Sequence, residues 1–366
     1  MGGAARTHAD SGHCHASHTR MIARPATVEM PFPHPRETAV LFGHGEAERT
    51  LLDAYRGGRI PHAWLIGGAP GIGKATLAYR MARFVLAHGD PAMSDVQSAE
   101  TLKLDLAHPV ARGVAAGTHG GLLTLERTPN EKGIMRTVIS VEQIRETISF
   151  FGSTATGNGW RVCIVDTVDE LNPNAANALL KVLEEPPHRS LFFLVSHAPV
   201  RVLATMQSRC RKLMLRPLAA SDVIRAAAAA VGIAPDDASL QEVAGAAEGS
   251  VARALALLGG GALKLHQRTM ALLNRLPQVD PGELHALGDA ISGSDRAALS
   301  AFIDSVDRWI GERLRTGDVN ADLPRLARLA EVWEKINTAA RETETYNLER
   351  KPLVFSAFGL LAEATR

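Results

Sequence analysis

This chain is poor in cysteine, has almost no excess charge of either sign, and contains no long apolar run. Its cysteines are Cys14, Cys163 and Cys210, widely separated and odd in number among 366 residues. That excludes a disulfide framework and a zinc ribbon, argues against export, and favours a reducing, cytoplasmic setting. The 40 Lys and Arg against 39 Asp and Glu leave a formal charge of +1. No bulk field therefore marks a nucleic-acid binder, and any DNA contact has to come from local patches. No apolar stretch approaches membrane-spanning length, Ala226–Ala230 being short and helical in character, so no membrane partner is expected. What is present is an ordinary apolar content, enough for a sizeable core, and a length that suggests two or three domains.

Residues 1–30 are Gly, Ala, Ser, Thr and His with almost no large apolar side chain, the composition of a disordered tail. His8, His13, Cys14, His15 and His18 in it form a nominal metal tract, but a floppy tail, or a start at Met21 or Met30, accounts for them better. No secretory h-region is present.

From residue 31 to 217 strands and helices alternate. A helical pattern runs from Thr38 through Leu51, Leu52 and Tyr55. Ala63-Trp64-Leu65-Ile66 reads as a buried strand, Leu77 to Ala87 as a helix, and the polar stretch 89–118 as an insertion. Leu122–Glu126, Arg161–Asp166, Leu191–Val195 and Leu213–Leu215 read as further strands. Ser140 and Gln143 form a capping box for a helix carrying Val141, Ile144, Ile148 and Phe151, and Asn172-Pro173 an N-cap and N1 pair for a helix that stops at Pro186-Pro187. The pattern predicts a parallel, helix-covered sheet. Residues 218–258 are Ala-rich and read as a small helical lid. After the Gly259-Gly260-Gly261 linker, residues 262–366 read as a helical bundle with Leu299, Phe302, Val306 and Trp309 on one helix and Leu326, Leu329, Trp333 and Ile336 on another. Both tryptophans are expected in the core.

The stretch with chemistry in it is Gly68-Ala69-Pro70-Gly71-Ile72-Gly73-Lys74-Ala75-Thr76, between a strand and a helix. Gly68, Gly71 and Gly73 permit a tight turn whose N–H groups face an anion, and Lys74 adds a positive charge. A hydrolysing phosphate-binding loop next needs a hydroxyl to hold magnesium, and here that residue is Ala75. Thr76 is rotated about 100° away on the helix. Asp166 ends its strand where a metal-holding carboxylate would sit, but Thr167 follows in place of a water-orienting Glu. Asp169 and Glu170 read as a solvated loop. Two vacant roles argue for a site that does not hydrolyse. Whether the loop still binds nucleotide or is only a structural turn stays open. Arg209, in Ser208-Arg209-Cys210, is a candidate arginine finger for a neighbouring subunit's phosphates, a device that accelerates transfer by roughly 10³–10⁵.

Residues 38–258 resemble the clamp-loader branch of the AAA+ proteins. The resemblance is carried by Gly58-Arg59-Ile60-Pro61-His62-Ala63-Trp64, the loop itself, Asn177-Ala178-Leu179-Leu180-Lys181-Val182-Leu183-Glu184-Glu185-Pro186-Pro187 and Ser208-Arg209-Cys210. The C-terminal third is similar only as a helical bundle. The resemblance implies a RecA-like α/β fold with a lid and a C-terminal collar for ring assembly. It implies a sensor role for Ser196 and a sensor arginine where Ala252 stands, with Arg253 one residue late. Ala75, Thr167 and Ala252 are thus three departures from the motor type, while Arg209 is intact. That combination is similar to the delta-prime type, the rigid stator of the bacterial DNA polymerase III clamp loader. Implied partners are the gamma/tau motor and delta subunits, the sliding clamp, and primed DNA through the complex, at the replisome on the nucleoid. ATP and magnesium would act on the motor, with no cofactor of this chain's own, no activity alone, and membership of the polymerase holoenzyme. An active motor ATPase and a non-catalytic DNA-binding adaptor are the alternatives. Many relatives carry four zinc-binding cysteines after the loop helix. Residues 89–118 have none, and His88, His108 and His119 lack ligand spacing, so no metal is expected.

Overall fold

The computed structural model describes residues 32–129, 136, 138–152, 159–259, 261–293, 296–316 and 319–366. The tail expected over residues 1–30 lies outside them, as does the side chain of Ile148.

The α/β part runs α1 (Gly45–Arg56), β1 (Ala63–Gly67), α2 (Lys74–Ala87), the short helices α3 (Ser94–Ser98) and α4 (Pro109–Ala115), β2 (Leu122–Glu126), α5 (Val141–Gly152), β3 (Arg161–Asp166), α6 (Pro173–Glu184), β4 (Ser190–Ser196), α7 (Ala204–Gln207) and β5 (Arg211–Met214). The strands form one sheet in the order β2-β3-β4-β1-β5, every pairing parallel. A parallel sheet has helices on both faces, so its strands must be apolar throughout. β1 and β4 are buried along their whole length. Side chains alternate between faces. Trp64, Ile66 and Phe193 pack with Leu51, Leu77 and Phe84 of α1 and α2. Leu65, Cys163 and Phe192 pack on the other side with Ile144, Leu179 and Leu183 of α5 and α6. This is a parallel α/β fold with helices on both faces of the sheet.

Local signals placed several helix starts. Ser140 N–H donates to Gln143 Oε1 at 3.0 Å and Gln143 N–H to Ser140 Oγ at 3.4 Å, the reciprocal pair of a capping box. Asn172 Oδ1 accepts Ala175 N–H at 2.8 Å at the head of α6.

Three expectations change. Helix does not begin at Thr38. α1 starts at Gly45, and the preceding segment is held out of helix by two buried guanidiniums, Arg83 donating to Arg36 O and Thr38 O at 2.8 and 2.7 Å and Arg80 to Ala39 O. Residues 89–118, read as an insertion, pack on the core, with Val96, Leu102 and Val114 buried and Leu102 N–H donating to Glu48 Oε1 at 3.0 Å. β5 begins at Arg211, two residues before its first apolar side chain, because backbone pairing with β1 defines it. Trp333 is 41 % exposed, its indole N–H on Asp307 Oδ1 at 2.8 Å, whereas Trp309 is fully buried.

The helices α8 (Ala220–Val231), α9 (Ala238–Ala247) and α10 (Val251–Leu258) pack around Val223, Leu240, Val243 and Ala254. Beyond them, α11 (Ala262–Leu273), α12 (Pro281–Ile291), α13 (Arg296–Thr316), α14 (Val319–Thr345) and α15 (Arg350–Thr365) enclose Phe302, Trp309, Ile336 and Phe358. Among the described residues no helix is long and apolar enough to cross a membrane.

Candidate functional site

Strands β3, β4 and β1 are neighbours, so their C-terminal ends bring Asp166, Ser196 and the Gly68–Lys74 loop to one edge, where ligands bind in open α/β sheets. Gly68, Gly71 and Gly73 all have positive φ, at 147°, 73° and 100°. A Cβ on Gly68 would lie 2.6 Å from Leu215 O, so no side chain fits there. The loop has the backbone of a phosphate cradle.

Its charges are committed elsewhere. Lys74 is 3 % exposed, and its ammonium donates to Gly68 O at 2.8 Å and Ala69 O at 2.6 Å. Burial lowers its pKa to about 8, against the opposing pull of Asp166 and Asp169. Burial, reinforced by Glu126, raises that of Asp166. Ala75 is buried against the α2 side of the core, Thr76 is half-buried and Thr167 is buried. Ser196 Oγ donates to Asp169 Oδ1 at 2.7 Å, and the backbone N–H groups of His197 and Ala198 also donate to that carboxylate. Asp169 is therefore a clamp between the ends of β3 and β4, not a solvated loop residue. Glu170 is engaged as well, in an ion pair with Arg127 Nε at 2.8 Å.

The lid reaches the same loop. Gly71 O accepts Val251 N–H at 2.9 Å and Ala252 N–H at 3.3 Å, and a Cβ on Gly71 would meet Ser250 Oγ at 2.3 Å. The first turn of α10 thus spends its N–H groups on a carbonyl of the loop. Arg253, about 100° further round the helix, is buried on the other side, donating to Asp304 Oδ2 of α13 at 2.8 Å beside His266 of α11. His266 in turn sits 2.7 Å from Ser305 Oγ, and Arg308 pairs with Glu248. Arg253 thus ties α10 to α11 and α13. Position 75 offers no hydroxyl to a metal ion, Arg253 of α10 faces away from the loop, and the start of α10 packs on Gly71. Among the described residues no group of three or more His, Cys, Asp or Glu could hold a metal ion.

Arg209 lies at the opposite edge. It precedes Arg211, the residue that pairs with Trp64 near the start of β1. A strand of five to seven residues separates the two edges by about 16–23 Å. Its side chain is 35 % exposed and forms an ion pair through Nη2 with Glu184 Oε1 at 2.7 Å.

A family model described as DNA polymerase III, delta subunit matches residues 43–219, from just before α1 to just after β5. The delta' subunit of DNA polymerase III from Pseudomonas aeruginosa is 37 % identical over 156 residues, covering 42 % of this chain and 43 % of that one. The Escherichia coli delta' subunit is 35 % identical over 167 residues, 46 % of each chain. Residues 43–219 are thus similar to subunits of DNA polymerase III, the delta' subunits among them. The tau subunit of Bacillus subtilis is also similar, 26 % identical over 227 residues, 61 % of this chain and 37 % of that one. The chain thus spans less than half the length of the delta' relatives it matches.

The sequence pattern marks the arginine but not what holds it. Glu184 is the last residue of α6, and His62 Nε2 is 3.1 Å from Leu183 O. A signal was there to find. A carboxylate at a helix C-terminus opposes the helix dipole and calls for a cation. Asp169 carried no such mark, because its partners come from the end of a different strand.

Proposed function

We propose that the chain is a non-hydrolysing subunit of the DNA polymerase III clamp loader, of the delta-prime kind. In this reading it binds no nucleotide productively, assembles through the helices α11–α15 beside gamma/tau motor and delta subunits, and presents Arg209 to a neighbouring ATP site while the ring loads the sliding clamp on primed DNA. The observation that carries this is the separation of the two edges. Arg209 is partly exposed about one strand length from its own loop, so its guanidinium can meet a phosphate only on another chain. Ala75, Thr167 and Ala252 support the first half of the reading, and the lid–collar bolt at Arg253 suits a rigid stator. The family match supports the setting, since the delta' and tau relatives are subunits of that polymerase.

The test is Arg209→Ala in a complex reconstituted with motor and delta subunits, clamp and primed DNA. Stimulated ATP turnover at the site it serves is expected to fall by a large factor, up to the roughly 10³ or more seen for arginine fingers. Unchanged turnover refutes the reading. The isolated chain is expected to turn over no ATP.

A further inference from the structure

Three stretches far apart in the chain, residues 58–64, 177–187 and 208–210, meet at the C-terminal end of α6. His62 contacts the carbonyl of Leu183 at 3.1 Å, and the next residue, Glu184, holds Arg209 Nη2 at 2.7 Å. The other guanidinium nitrogen, Nη1, donates to Thr205 O at 2.8 Å and reaches Ser208 Oγ at 3.5 Å. Thr205 belongs to α7, which packs on α6. The arginine is tied on both sides to elements of its own chain. Its Nε–H and second Nη2 proton have no partner among the described residues.

The local sequence favours this mount over a chance surface contact. Pro186-Pro187 forbids continuation of the helix, so α6 stops with Glu184 as its last residue and Glu185 as its cap. A glutamate there faces the carbonyl end of the helix and is unfavourable by itself. A guanidinium facing it removes that penalty. An arginine carries large rotamer entropy, and an arm ordered beforehand loses less of it when it meets a phosphate.

We infer that Glu184 is a positioning residue for Arg209, fixing the guanidinium with its free donors available to a phosphate on an adjoining chain. His62 supports it by holding the carbonyl just before it. The inference rests on the reading of Arg209 as a trans-acting arginine.

The experiment uses the reconstituted complex, with ATP turnover stimulated by clamp and primed DNA, and the variants Glu184→Ala, Glu184→Gln, Arg209→Ala and the double Arg209→Ala/Glu184→Ala. Glu184→Ala is expected to lower kcat about two- to fivefold, the factor set by an exposed ion pair. KM for ATP and the yield of complex stay unchanged. Glu184→Gln, which keeps an acceptor for Nη2, loses less. In the Arg209→Ala background, removal of Glu184 adds nothing. A kcat that is unchanged or raised in Glu184→Ala, while Arg209→Ala is impaired, overturns the positioning role alone. A further loss in the double variant beyond that of Arg209→Ala also overturns it, because Glu184 would then act without the arginine. If Arg209→Ala itself has no effect, the underlying trans reading fails and this one with it.

Discussion

Replacing Arg253 by alanine is expected to loosen α8–α10 from α11 and α13 without disturbing the sheet. The side chain is 5 % exposed, donates to Asp304 at 2.8 Å, lies 3.2 Å from His266 Nε2, and keeps an Nε with no partner among the described residues. Its three methylenes contribute about 2 kcal/mol of burial at ~0.8 each. The charge-assisted bond to Asp304 adds about 1.5–3 kcal/mol. Against this stands the desolvation of a buried guanidinium, several kcal/mol per ion in proteins. Asp304 is 58 % exposed and regains water when its partner goes, so truncation strands no buried charge. The net cost of Arg253→Ala is then about 2–3 kcal/mol. Arg253→Met keeps the apolar stem and removes the unpaired Nε, and is expected to cost less than about 1 kcal/mol, as apolar replacements of buried ion pairs often do. Urea unfolding of the full chain measures both, and amide hydrogen exchange locates the effect. Protection in α8–α10 should fall further than in β1, β3 and β4. A cost below about 0.5 kcal/mol for the alanine variant, with exchange in α10 unchanged, refutes the reasoning. A methionine variant as costly as alanine would show that the charge, not the stem, carries the junction.

Acid should weaken the same junction. Burial, then Arg253 and Arg308, lower the His266 pKa to about 4, while Asp304 and Glu248 oppose them. Between the unfolded value of 6.5 and about 4 only the unfolded chain takes the proton, so stability falls as pH drops through that window, by about 1–3 kcal/mol at its foot. Urea titrations at pH 7.5, 5.5 and 4.5 should show this slope, and it should flatten in His266→Gln; an identical slope in the variant refutes the assignment. Gly71→Ala puts a Cβ 2.3 Å from Ser250 Oγ on a residue with φ of 73°, and is expected to destabilise by about 2 kcal/mol through strain and displacement of α10; an unshifted melting midpoint refutes the close approach. Combining Ala75→Thr with Thr167→Glu should yield no ATP turnover by the isolated chain, because the start of α10 still occupies Gly71; measurable turnover would overturn that account. Lys74→Met should leave stimulated turnover of the reconstituted complex within about twofold of the parent, in contrast to Arg209→Ala, and a large loss would show that this loop still works.

Much of the fold was legible because its causes are local. β1, β3 and β4 are uninterrupted apolar runs, as strands buried on both faces must be, and Ser140 and Asn172 cap helices with partners three residues away. The segment before α1 was misread as helix because the carbonyls of Arg36, Thr38 and Ala39 are held by arginines more than forty residues later. β5 has exposed Arg211 and Lys212 and no apolar alternation; only pairing with β1 makes it a strand. Trp333 sits at core spacing, but Asp307 of α13 supplies an acceptor outside the core.

By itself the sequence determined which functional groups exist at the loop. A hydroxyl absent at position 75 or a carboxylate absent at 167 is absent in any fold. It also determined that an arginine follows a Leu-rich strand and that a glutamate ends a helix before two prolines. Only the tertiary structure decided where those charges go. Arg253 and Asp304 are 51 positions apart, and Glu184 and Arg209 belong to separate elements. Caps and periodicity act over three or four residues, whereas an ion pair forms wherever packing brings two groups within a few ångströms. The sheet, by setting Lys74 and Arg209 at opposite edges, separates a loop closed on itself from an arginine facing outward.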